Sequence, residues 1–281
     1  MLIIFFGGLS RSGKSAFWPL FSSLENFDQM QNLPELDWFN TWYEARNIDE
    51  ETFIECCKIK IDTSNWFSYL GRYLNSNKND RSNFVRLTSE EEYIKRISRN
   101  DTEDEFLKYQ DHLSKKSFIP VYVTDIKLTH NQQKIMGYEV VHFHLIRNPY
   151  RMYNEWIKTK RVERSRQGSS RMMKPRVAFN TDISVEDETA TKIIEDYLQW
   201  KDDPNTIKFE NLCQNPHEVM NKIAKICDVN LLSFDKDKLK DANLPRDIVD
   251  EYSISLLKSA NLSPEKIEIL DRIQLEYLSK I

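Results

Sequence analysis

Leu2-Ile3-Ile4-Phe5-Phe6-Gly7-Gly8-Leu9-Ser10-Arg11-Ser12-Gly13-Lys14-Ser15 is an apolar run that passes through two glycines into a short polar turn. An apolar run with no alternation suits a strand buried on both faces. From Gly8 to Ser15 the residues match G-x-x-x-x-G-K-[ST] in full. In such a turn the glycines let backbone N–H groups point inward. A helix expected from Ser15 to Leu24 adds its positive end, and Lys14 adds a point charge. Ser10, Arg11, Ser12, Gly13, Lys14 and Ser15 are therefore the expected anion-binding residues, with a phosphate or sulfate as the ligand. The pattern does not fix the reaction.

The same alternation continues along the chain. Phe118 to Thr124 and Val140 to Ile146 read as strong strands, Phe27 to Met30 and Thr206 to Phe209 as short ones. Helical patterns cover Pro34 to Arg46, Glu50 to Gly71 after a cap at Asp49, Thr88 to Ile97, Thr102 to Lys115, Lys127 to Met136, Pro149 to Val162, Val185 to Trp200, Pro216 to Cys227 and Pro264 to Ser279. Strands alternating with helices predict an α/β fold: a P-loop-type three-layer sandwich with a central, mostly parallel sheet. A large helical insertion occupies about 34–116, and residues 1–281 read as a single domain. Trp38, Trp42, Trp66, Tyr69 and Tyr73 lie on that insertion at helical spacing and read as core packing.

In 281 residues, 40 bases stand against 44 acids, a net charge of −4. Lys158 to Arg176 holds eight of the bases and only one acid, Glu163, so that segment carries +7 against −11 elsewhere. An acidic chain with one basic stretch argues for a local anion site and against a nucleic-acid surface. The stretch reads as a basic, lid-like loop over about 160–183. No apolar run approaches the roughly 20 residues needed to span a bilayer. Cys56, Cys57, Cys213 and Cys227 show no metal-ligand spacing and read as reduced thiols. A cytoplasmic protein without a metal is the expectation.

A second anion element follows in Val141-His142-Phe143-His144-Leu145-Ile146-Arg147-Asn148-Pro149-Tyr150. It is a strand running into Arg-Asn-Pro and then a helix. Together with the first turn it resembles the sulfotransferases that use 3′-phosphoadenosine 5′-phosphosulfate (PAPS), as a divergent bacterial- or phage-type member. Ser10 to Ser15 is similar to their Pro-Arg-Ser-Gly-Thr-Thr turn, with Lys14 where the family usually has Thr. Thr206-Ile207-Lys208-Phe209-Glu210-Asn211-Leu212, followed by Asn215-Pro216, resembles a further strand and helix of the family. The likeness covers 1–30 and 118–230. It implies that Arg11 meets the leaving 5′-phosphate and that Arg147 holds the 3′-phosphate by its fork of donors. It also implies a nucleotide donor and an acceptor bearing a hydroxyl or amine, a carbohydrate among the candidates. The sequence departs from the family at Glu155, where the family has Ser, and lacks its C-terminal Arg-Lys-Gly.

Sulfuryl transfer needs a base for the acceptor and cations for the leaving phosphate. Asp125, His130 and Glu25 are the candidate bases, and Arg11 and Lys14 the candidate cations. His142 and His144 share one strand face and read as structural. Val121-Tyr122-Val123-Thr124-Asp125 also carries a rival: an apolar strand ending in an acid could hold Mg²⁺ for a P-loop kinase using ATP. A nucleotide-binding protein without transfer activity is the third possibility.

Overall fold

Leu2–Gly7 forms β1, buried at every position. It pairs in parallel with β3, Phe118–Tyr122, in the register Leu2↔Phe118 through Phe6↔Tyr122. On the far side of β3 the short β2, Gln31–Asn32, is parallel too, with Gln31 opposite Val121. β4, Glu139–Ile146, pairs in parallel with β5, Thr206–Lys208, through His144↔Thr206 and Ile146↔Lys208. The sheet order is β2-β3-β1-β4-β5. This is the α/β architecture that the alternation predicts: a mostly parallel central sheet flanked by helices. The computed structural model describes residues 2–28, 31–78, 80, 83–114, 118–123, 137–162, 183–232, 236–244 and 262–279.

Two compact units divide the chain. The first comprises Met1–Gly7, Lys14–Phe143 and Pro216–Pro245. Ile3 and Phe5 of β1 and Val121 of β3 pack with Leu36, Phe53, Ile54, Cys57 and Ile61. These last come from α2 (Pro34–Glu44) and α3 (Glu50–Tyr69), whose start Asp49 caps by accepting from the Thr52 amide at 2.8 Å. The insertion continues through α4 (Phe84–Leu87), α5 (Glu90–Ile97) and α6 (Glu103–Ser114). Trp66, Tyr69 and Tyr109 cluster there as packing, in line with the spacing, whereas Trp42 and Tyr73, expected in the core on the same grounds, are exposed. Buried Asp28 ties this region together, accepting from Arg96 Nη1 at 2.8 Å and lying 3.0 Å from His112 Nε2.

The second unit comprises Gly8–Gly13, His144–Asn215 and Arg246–Ile281. In chain order α7 (Pro149–Lys158) and α8 (Val185–Trp200) are followed by α9 (Phe209–Gln214), α10 (Pro216–Ile226), α11 (Lys236–Ala242) and α12 (Pro264–Ser279), and the core of this unit joins α7, α8 and α12. Leu9, Ile146, Tyr153, Trp156, Ile193, Tyr197, Leu270 and Tyr277 supply its buried surface.

Two local elements differ from the pattern. The helix expected over Ser15 to Leu24 is a 3₁₀ turn, Lys14–Ala16, and a short α1, Phe17–Phe21. Ser22 Oγ donates back to Pro19 O at 2.7 Å, and Leu24 bridges Leu231. That long-range bridge stops a helix that local propensity would have continued. The edge strand is described at Gln31–Asn32, where Gln31 Nε2 donates to Asn65 Oδ1 at 2.6 Å; it follows the expected Phe27 to Met30, of which residues 29 and 30 lie outside the described residues. Among the described residues no helix is long and apolar enough to cross a membrane, and no cluster of His, Cys, Asp or Glu could hold a metal ion.

Candidate anion-binding site

β1 ends at Gly7, and the chain must then turn sharply away from the sheet. Gly8 does this with φ +133°, where a Cβ would lie 2.5 Å from the Leu145 carbonyl oxygen. Only glycine fits that approach. Gly13 closes the turn at φ +103°, and a Cβ there would meet the Phe209 ring at 2.2 Å. Between them Arg11 adopts φ +73°, a left-handed conformation that costs a residue with a Cβ about 1–2 kcal/mol.

The protein holds this turn by its carbonyls. Leu9 O accepts from the Ser12 amide at 3.1 Å. Ser10 O accepts from Trp156 Nε1 at 2.7 Å, and Arg11 O from Arg147 Nη1 at 2.9 Å. Three successive carbonyls of the turn are thus engaged as acceptors, one of them by the turn's own Ser12 amide. The side chain of Arg11 is exposed. The Ser12 hydroxyl is buried and has no hydrogen-bond partner among the described residues. A buried hydroxyl left so costs about 1–3 kcal/mol, which an anionic oxygen accepting a hydrogen bond from it would recover.

Arg147 directly follows β4 and stands two residues before α7 begins. Asn148 caps that helix, its side chain accepting from the Arg151 amide at 3.1 Å, and Pro149 occupies the first helical position. The Arg147 guanidinium lies 5.0 Å from the centre of the Phe209 ring, the same ring that backs Gly13. One buried aromatic thus fixes the distance between the two anion elements. Phe209 and Trp156 were not among the sequence-derived site residues. The signal for Phe209 was its place at a strand end in the segment from Thr206 to Leu212.

The other candidates are placed as follows. Lys14, in the first unit, is buried: its ammonium donates to Val123 O at 2.9 Å and lies 4.3 Å from the centre of the Tyr122 ring. Ser15 is exposed at the start of the 3₁₀ turn. Glu25 accepts from Asn230 Nδ2 at 2.6 Å, in the strap that stops α1. Glu155 is half-buried on α7. His144 is buried, 2.8 Å from Asp196 Oδ1 and stacked on Trp200 at 4.2 Å, a structural histidine as its strand position suggests. Asp125, His130, the helix expected over Lys127 to Met136, and residues 163–182 of the lid-like loop expected over about 160–183 lie outside the described residues.

No family model matches the chain, and no curated protein matches its sequence. Among solved structures, the sulfotransferase domain from the Synechococcus PCC 7002 olefin synthase is similar in fold. It is 11% identical with a TM-score of 0.42, covering 97% of this chain and 94% of that one. The sulfotransferase domain from the curacin biosynthetic pathway is 11% identical with a TM-score of 0.43, covering 96% of each chain.

Proposed function

We propose that the protein is a sulfotransferase that moves a sulfuryl group from PAPS to a hydroxyl or amine, leaving adenosine 3′,5′-bisphosphate. The observation that carries this reading is the bond from Arg147 to the Arg11 carbonyl. It couples a phosphate-type turn to an Arg-Asn-Pro turn, and a donor with phosphates at both the 5′ and 3′ positions needs two such elements. Arg147 is assigned the 3′-phosphate, which a planar guanidinium can grip with two parallel bonds. The loop amides, the Ser12 hydroxyl and the Arg11 side chain are assigned the 5′-phosphosulfate. Arg11 would neutralise charge on the 5′-phosphate as it leaves. The acceptor oxygen or nitrogen attacks sulfur, the bond from sulfur to the bridging oxygen breaks, and the acceptor's proton passes to a base. Asp125 and His130 are the assigned bases, and no metal is required.

The kinase reading asks more of Lys14. A P-loop lysine reaches the β- and γ-phosphates, whereas here the ammonium is committed to Val123 O and the Tyr122 ring. Isothermal titration separates the two readings. Adenosine 3′,5′-bisphosphate should bind with or without a chelator, and adenosine 5′-phosphate should bind more weakly. Tighter binding of ATP, and only with Mg²⁺, would overturn the sulfotransferase assignment.

A further inference from the structure

We infer that Glu210 and Tyr277 form a positioning lock behind the Arg147 turn, through which the C-terminal helix α12 sets the grip on a 3′-phosphate. The ligand named here rests on the function proposed above; the lock itself rests on geometry. Glu210 is 2% exposed and Tyr277 fully buried. A buried carboxylate is tolerated only where its oxygens are hydrogen-bonded. One oxygen of Glu210 accepts from the Asn148 amide at 3.4 Å, and the other accepts from the Tyr277 hydroxyl. Burial, and then the charge on Glu210, push the Tyr277 phenol well above its ordinary range, so it stays protonated and donates. The positive charge of Arg147 acts on the same phenol in the opposite sense, so the guanidinium lies within electrostatic reach of the pair. Tyr277 is itself fixed by Lys208, whose ammonium donates to the Tyr277 carbonyl at 2.6 Å and lies 4.5 Å from the ring centre.

The same face of α12 continues the contact. Asp271, Gln274 and Tyr277 are spaced by three, which aligns them along one side of a helix. Gln274 Oε1 accepts from the Tyr150 amide at 3.5 Å, and Asp271 accepts from the Tyr150 hydroxyl. The first amides of a helix have no partner within it and are ordinarily available to an anion. In α7 the Asn148 and Tyr150 amides are instead taken by Glu210 and Gln274. An incoming phosphate must then be held by the Arg147 side chain, whose approach is set by the turn that the lock fixes.

The test is Tyr277→Phe in the full chain. Two quantities are read: the ratio of affinities for adenosine 3′,5′-bisphosphate and adenosine 5′-phosphate, and amide exchange at Asn148. We expect the ratio to fall about three- to tenfold, with adenosine 5′-phosphate affinity unchanged and exchange at Asn148 faster. Glu210→Gln should keep the ratio, because its amide oxygen still accepts from Asn148; Glu210→Asp, one methylene shorter, should lower it. A folded Tyr277→Phe with the wild-type ratio and wild-type exchange overturns the lock. Should Tyr277→Phe not fold, an unchanged ratio in Glu210→Asp overturns it. If the wild type does not distinguish the two nucleotides, the donor assignment fails, and the lock is then decided by exchange alone: faster in Tyr277→Phe supports it, unchanged refutes it.

Discussion

Replacing Lys14 by Met separates a structural lysine from a ligand-binding one. In the wild type the ammonium satisfies Val123 O and sits over the Tyr122 ring. Met keeps the aliphatic stem but leaves that carbonyl without its donor, which costs about 1–3 kcal/mol for a buried polar group. The lost cation–π contact adds about 0.5–2 kcal/mol. Removing a buried charge recovers part of this, because a desolvated ammonium is itself costly. A net loss of about 1–3 kcal/mol remains. At about 2 °C per kcal/mol for a chain of this length, the melting point should fall by roughly 2–6 °C. Affinity for adenosine 3′,5′-bisphosphate should stay within about twofold if, as proposed, Arg147 and the loop amides hold the nucleotide. Differential scanning fluorimetry and isothermal titration on the same preparation read both quantities. A variant that melts like the wild type but has lost nucleotide binding would refute the reasoning and return Lys14 to the phosphates.

Three further outcomes are expected. Arg147→Ala should erase the preference for a 3′-phosphate, a change of tenfold or more for a charge-assisted bond of about 1.5–3 kcal/mol, read as the affinity ratio of adenosine 3′,5′-bisphosphate to adenosine 5′-phosphate. Gly13→Ala should weaken binding of both nucleotides and lower the melting point, because its Cβ meets the Phe209 ring and its φ of +103° strains any other residue by about 1–3 kcal/mol. Asp28→Asn should destabilise the first unit by about 3 kcal/mol, since it removes one of the two carboxylates, Asp28 and Glu92, that pair with buried Arg96 among the described residues. Burial alone would raise the Asp28 carboxyl, but Arg96 and His112 overcome it and hold it far below the ordinary range. A depressed carboxyl contributes stability that is present above its unfolded value near 4 and is lost as pH falls toward the folded value. The difference in melting point between wild type and Asp28→Asn should therefore be full at neutral pH and shrink below about pH 4; a constant difference down to pH 2 would contradict it.

The parallel sheet was legible because its central strands announce themselves. Leu2 to Phe6 is apolar throughout, and a strand buried on both faces has no polar positions to blur the reading. The cap at Asp49 was legible for a different reason: the side chain bonds an amide three residues away, so the information is local. The strap from Ser22 to Glu25 was not legible, since its partners at Asn230 to Leu232 lie some two hundred residues along the chain. A long-range bridge outweighs a helical preference worth a few tenths of a kcal/mol per residue.

At the site the division is sharper. The sequence by itself determined that Gly8 to Ser15 is a glycine-bounded turn, matching a phosphate-loop pattern, between a strand and a helical segment, and that Arg147 stands at a strand end before a proline-started helix. Both are statements about chain neighbours. Tertiary structure alone decided what each charge does. Lys14 and Arg147 are both long cations in anion-type motifs. One turns to the Val123 carbonyl in the first unit, and the other to the Arg11 carbonyl in the second. Nor does any spacing in the sequence reveal that Phe209 backs Gly13, or that Tyr277 on the last helix reaches the carboxylate of Glu210. A side chain's direction is fixed by the acceptors within its reach, and those acceptors come from strands and helices that only folding brings together.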